Sequence, residues 1–164
     1  ALGDPDLAAL DAFVRGGGML ICFDQAGQVA INLFKLPIKD VAREAGDRLV
    51  APGTILRLDV DQTDPLSYGL PAQTSGVFTS SAAYDVASPA GPKTAVRYAA
   101  KDLLVSGLLR GGESIEGRSA VVSASVDRGR VVLLGFRVQH RAQSLATFRL
   151  LFNAIFDSVR SSGP

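Results

Sequence analysis

Apolar side chains recur at steps of three and four along Leu7, Leu10, Phe13 and Val14, the spacing that gathers them on one face of a helix. Asp4-Pro5-Asp6 reads as its start, with a capping carboxylate and proline at the first helical position, and Gly16-Gly17-Gly18 as its stop. The pattern then changes. Residues 19–23 are a short unbroken apolar run, as expected for a strand buried on both faces. Asp24 and Gln25 turn the chain into residues 28–34, whose spacing predicts a second short helix ended by Leu36-Pro37. The opening therefore reads helix, strand, helix.

A period of two takes over at residues 54–60, where Ile55, Arg57 and Asp59 alternate with Thr54, Leu56, Leu58 and Val60, the pattern of a half-exposed strand. Shorter strands are expected at 76–79, 82–86 and 94–98. Turn-forming clusters separate them at Asp64-Pro65, Gly69-Leu70-Pro71 and Ser88-Pro89-Ala90-Gly91-Pro92. We read this stretch as an inserted or edge β region. Residues 119–126 and 130–136 predict a hairpin through Asp127-Arg128-Gly129, with the glycine supplying a positive φ. After a loop at 137–143, Ser144 is placed to cap a last amphipathic helix carrying Leu145, Phe148, Phe152, Ile155 and Val159 at spacings of three and four.

The expectation is a single layered α/β domain over residues 1–164, without internal repeats. A doubly wound sheet normally begins with its own central strand, whereas this chain opens on a helix. A first βαβ unit is therefore expected on an upstream or separate segment.

Composition narrows the function classes. At 164 residues, with 47% apolar and 20% charged side chains, the chain has the make-up of an ordinary globular domain with one core. Seventeen basic residues face sixteen acidic ones for a formal charge of +1, and neither sign clusters, so no nucleic-acid or anionic-lipid partner is expected. No apolar run approaches the roughly 20 residues that cross a bilayer, and no leader opens the chain, so no membrane partner is expected. One cysteine cannot form an internal disulfide, and one cysteine with one histidine cannot supply the ligands of a zinc site without recruiting carboxylates, so no metal is expected within this chain, and no other cofactor is assigned to it.

His140 is the one imidazole, just past the apolar run 131–136, where open α/β sheets place their ligand sites. With Arg137, Gln139 and Arg141 it forms the candidate ligand-binding set. The plainer reading is that these side chains tie a loop to the sheet. Cys22, flanked by Ile21 and Phe23, reads as a buried inert thiol rather than a nucleophile on a sharp turn. Ser106 and Ser144 sit in no G-x-S-x-G frame, and Ser144 is better explained as a cap. Asp59, Asp61 and Asp64 lack the glycine and closing glutamate of a calcium loop and read as a strand end and a turn. The triple glycine precedes a strand instead of joining strand to helix, so it is not a phosphate cradle. No catalytic residue is assigned.

The stretches AALDAFVRGGGMLICF, NLFKLPIKDV, APGTILRLDVDQTDPLSYGLP and GRVVLLGFRVQHRAQSLATFRLLFNAIF resemble the class I glutamine amidotransferase-like domain at the C-terminus of certain bacterial zinc carboxypeptidase-like proteins. The resemblance spans nearly the whole chain and implies the later part of a flavodoxin-like sheet whose first strands lie upstream of Ala1. True class I amidotransferases carry a cysteine elbow and a late V-Q-F-H-P-E motif. Val138-Gln139-His140 matches its beginning, but no phenylalanine separates Gln139 from His140, and Arg141-Ala142-Gln143 stands where Pro-Glu would be. The resemblance thus implies a non-catalytic accessory domain beside an upstream metallopeptidase domain, secreted or periplasmic, whose zinc ligands lie outside this chain. Two other functions stay open: a small-molecule domain that holds a peptide or other carboxylate at Arg137, His140 and Arg141, and a diverged hydrolase whose nucleophile sits on a missing upstream segment.

Overall fold

The computed structural model describes residues 2–87, 91–142 and 144–161. Helix α1 covers Asp4–Arg15, one residue after Gly3, whose backbone N–H donates to the Asp6 carboxylate at 2.9 Å. The closing carboxylate is thus that of Asp6, and Asp4 is already helical. The helix ends at Gly16, and Gly17, with φ +115°, takes a conformation that only glycine adopts freely. Strand β1 (Met19–Phe23) follows directly. Helix α2 occupies Gly27–Leu33 after a 3-10 turn at Asp24–Ala26. The predicted order of helix, strand and helix holds.

Then come β2 (Ile38–Asp40), α3 (Val41–Ala45), β3 (Thr54–Val60), β4 (Gln73–Phe78), β5 (Tyr84–Val86), β6 (Lys93–Tyr98), β7 (Leu104–Ser106), β8 (Ser119–Val126), β9 (Gly129–Leu134) and α4 (Phe148–Ser161). The main path of the sheet runs β1-β9-β8-β6-β3-β4, with β2, β5 and β7 paired beside it. Only β1 and β9 run parallel among the described strands, with Ile21 opposite Val132, and every other pair is antiparallel. Of the two readings of the middle of the chain, inserted or edge, the sheet order fits the second: β6, β3 and β4 continue the sheet beyond β8, and β4 stands at its edge. The turn expected at Ser88-Pro89-Ala90 lies outside the described residues.

Two apolar layers cover the sheet. On one face Val14 of α1 and Ala30, Ile31 and Phe34 in and after α2 pack with Cys22, Val131 and Leu133. On the other, Leu150 and Ala154 of α4 pack with Val132, Leu134, Leu56 and Leu58. Alternate residues of β1 divide between the two layers, as the pleat requires. Most of β1 is only half-buried, because it stands at the sheet's end and not, as its apolar run predicts, inside it.

The hairpin forms where expected, but the positive φ belongs to Asp127, at +50°. Gly129 is required for a different reason: a Cβ there would overlap the carbonyl oxygens of Val14 and Gly18. Helix α4 also forms, although Ser144 does not cap it. That hydroxyl donates to the Ser75 carbonyl at 2.8 Å. The apolar stripe that predicts the helix lies largely outward, with Leu145 72%, Phe152 52%, Ile155 46% and Val159 71% exposed. Polar anchors fix this rotation: Asn153 Nδ2 donates to the Leu66 and Tyr68 carbonyls, both at 2.9 Å, and Thr147 Oγ1 donates to the Val138 carbonyl at 2.6 Å.

Candidate functional site

The carboxyl ends of the parallel pair β1 and β9 lie side by side, and the chain leaves both there. After β1, Asp24 adopts φ +48°, a left-handed backbone unusual for a residue with a Cβ, and starts the 3-10 turn into α2. This conformation turns the chain sharply at the end of the strand, and the Asp24 side chain ends up buried. After β9, Gly135 and Phe136 lead to Arg137, whose Nε donates to Asp24 Oδ2 at 2.7 Å. Ser81 Oγ donates to Asp24 Oδ1 at 3.2 Å and accepts from the Thr79 N–H at 3.2 Å. The carboxylate is therefore held from two sides, by a cation and by a hydroxyl that the backbone itself orients.

A cavity of about 380 Å³ opens over this cluster, lined by Phe23, Asp24, Gln25, Ala26, Ser80 and Arg137. The Arg137 side chain is 60% exposed, and its Nη groups have no protein partner among the described residues. A site of this kind can bind and orient a small polar ligand. It offers a guanidinium edge to an acceptor. A carboxylate already committed to arginine and serine makes a poor nucleophile.

Of the four residues singled out from the sequence, only Arg137 lines this cavity. Gln139 is exposed, and His140 and Arg141 belong to a 3-10 turn at His140–Ala142 in which Arg141 has φ +48°. The His140 backbone N–H donates to the Arg137 carbonyl at 3.0 Å, while no side-chain partner for its ring is found among the described residues. Gln143, part of the altered motif, lies outside the described residues. The residue that sequence reasoning undervalued is Asp24, read there only as a cap or turn. An acidic residue directly after an apolar strand, at a carboxyl end of the sheet, was the available signal.

The remaining candidates fall where their plainer readings put them. Cys22 is buried in the α2 layer, and burial pushes its thiol up to about 11. Asp61 accepts from the backbone and hydroxyl of Thr63 at 2.9 and 2.6 Å, which hold its carboxyl below the usual range. Asp64 accepts from Leu66 N–H at 2.9 Å, and Asp59 from Gln73 Nε2 at 2.8 Å, so each serves a turn or a strand end. Among the described residues no group of three metal-ligating side chains converges. No helix there is long and apolar enough to cross a membrane.

No family model and no curated protein matches the sequence. Solved structures do match in fold. A cytoplasmic protein, STM3548, from Salmonella typhimurium aligns with a TM-score of 0.59 at 12% identity, over 95% of this chain and 61% of that one. A ThuA-like protein from Bacteroides uniformis aligns with a TM-score of 0.57 at 16% identity, over 96% of this chain and 64% of that one. A β-galactosidase from Bacillus circulans aligns with a TM-score of 0.55 at 11% identity, over 96% of this chain and 21% of that one. The chain thus spans less than two thirds of the length of each of these three structures. At such identities the similarity is one of fold alone: a mixed α/β domain built on a curled mixed sheet.

Proposed function

We propose that residues 1–164 form a non-catalytic accessory domain of a larger protein, of the zinc carboxypeptidase-like class that the sequence resemblance names. One observation carries this reading. The sharp strand-to-helix turn from β1 into α2, a geometry that exposes a nucleophile in many hydrolases, carries Asp24, bound by Arg137 and Ser81, while Cys22 faces the core two residues earlier. The fold is on this reading the later part of a glutamine amidotransferase-like sheet, and the similarity to the ThuA-like structure is consistent with it. Any zinc chemistry then belongs to residues outside this chain. Incubation with glutamine and with small amide and ester substrates should release no product above background. Turnover that disappears in His140→Ala would overturn the proposal.

A second reading is supported by the free outer edge of Arg137 over the cavity: a binding site for a small carboxylate, such as the end of a peptide. A carboxylate present at a hundred times its dissociation constant should stabilise the fold by about 2.7 kcal/mol. A thermal shift with short peptides that is absent in Arg137→Ala would support it, and no shift with any carboxylate tested would remove it.

A further inference from the structure

Helix α4 is apolar on two opposite faces. Leu150 and Ala154 point into the layer over the sheet. On the side opposite Leu150 stand Phe152, Ile155, Phe156 and Val159, whose spacings of three, four and seven from Phe152 gather them into one stripe. All four are exposed, Phe156 to 71%. A helix that is apolar all round belongs where it is covered all round.

The polar side chains of α4 stay off this stripe. Asn153 donates to the carbonyls of Leu66 and Tyr68 on one flank, and Asp157 turns toward the sheet to pair with Arg130 of β9. Tyr68, beside the Asn153 flank and 77% exposed, widens the apolar surface. A large aromatic side chain presents roughly 150–250 Å², so the stripe and Tyr68 together expose on the order of 650 Å². The largest apolar patch on a typical monomer is about 300–600 Å². Two such faces together make about 1,300 Å², within the roughly 1,200–2,000 Å² of a stable interface.

The stripe is also symmetric about its own centre. Reversal about the point between Ile155 and Phe156 exchanges Phe152 with Val159 and Ile155 with Phe156. A twofold axis through that point therefore sets every apolar side chain of one helix opposite an apolar side chain of the other. A contact with an unlike partner needs no such symmetry, whereas an isologous contact does. We infer that the outer face of α4 is a homodimer interface, across which a second copy of this chain lays its own α4 antiparallel. Antiparallel packing opposes the two helix dipoles and brings the exposed Arg149 toward the carboxyl end of the other helix, whose partial negative charge favours it. Parallel packing would set Arg149 beside Arg149. The inference goes beyond the accessory-domain reading and does not depend on it.

Sedimentation of the polypeptide as encoded, from about 1 to about 200 μM, tests this and should show a dimer, whole or in equilibrium with monomer. Phe156→Asp puts two carboxylates into the apolar centre of the pair and should raise the dissociation constant at least about a hundredfold, as should Phe152→Arg. Both positions are exposed in a single copy, so helix content by circular dichroism should not change. A monomer at every concentration overturns the inference and leaves the stripe to another part of the polypeptide. A dimer that survives both substitutions overturns it too. Cysteine cross-linking then reads the orientation, with Cys22 buried and out of reach. Ile155→Cys, beside the axis, should oxidise to a covalent dimer. Val159→Cys should not, because antiparallel helices hold its two copies roughly 10 Å apart, beyond the reach of a disulfide. Efficient cross-linking through Val159→Cys would mean parallel helices and overturn the antiparallel pairing.

Discussion

Arg137 and Asp24, 113 positions apart in the chain, meet through a 2.7 Å bond that joins the carboxyl ends of β1 and β9. These are the two parallel strands of the sheet, and their ends are where both backbones turn away from it. The pair closes the strand ends and at the same time engages the carboxylate that stands at the sharp turn into α2. One ion pair therefore links the local fold to the chemistry left open to the site.

Arg137→Ala should cost about 1–2 kcal/mol, because it leaves the buried Asp24 carboxylate with Ser81 as its remaining side-chain donor. The figure stays below that of a fully buried pair because the arginine is 60% exposed and well screened. Urea denaturation of the variant measures it. A change within about 0.3 kcal/mol would mean that the pair adds nothing to stability.

Much of this architecture was legible in the sequence. The spacing of Leu7, Leu10, Phe13 and Val14 located α1, alternation located β3, and the runs around Asp127-Arg128 located the final hairpin. β2, α3 and β7 were not legible: at three to five residues they show no period, whereas β1 and β5, equally short, were placed by the glycine stop or turn clusters beside them. Periodicity also gave α4 without its rotation, since the bonds of Asn153 and Thr147, which set that rotation, join residues far apart in sequence. The site was half legible. Arg137 stands out beside the lone imidazole, but the importance of Asp24 depends on a strand end brought to it across the sheet.

Gly129→Ala should destabilise the fold by about 3 kcal/mol or more, because its Cβ would overlap backbone oxygens of Val14 and Gly18 that cannot move without displacing α1 from β1. Gly46→Ala provides the contrast. A Cβ there meets nothing within 4 Å, so the cost should be that of the backbone alone, about 1–3 kcal/mol for a conformation, φ +55° and ψ −133°, that residues with a Cβ rarely adopt, and smaller than the loss at Gly129. Thermal melts of the two variants give the comparison, and equal losses would contradict it.

Asn153→Ala removes two 2.9 Å bonds that hold α4 to the turn Pro65–Ser67 and the residue after it. A loss of about 1–2 kcal/mol is expected, with the amides of α4 exchanging faster than those of β8. Uniform acceleration across both elements would show that the helix is not separately anchored.

Cys22 predicts a pH dependence of defined sign. Burial raises its thiol from 9.0 to about 11, so the folded chain favours the neutral form and the unfolded chain ionises first. The contribution is complete below pH 9, falls as pH rises from 9 to about 11, and is lost above that. A hundredfold difference in acidity corresponds to about 2.7 kcal/mol. Guanidinium melts at pH 8 and pH 11 should therefore show a steeper loss for the unchanged protein than for Cys22→Ala, in which lysine and tyrosine titrations persist and cancel in the comparison. The native thiol should also resist iodoacetamide at pH 8 and react once the chain is unfolded. Parallel pH slopes for the two proteins, or rapid native alkylation, would place the thiol in water and reopen its candidacy as a nucleophile.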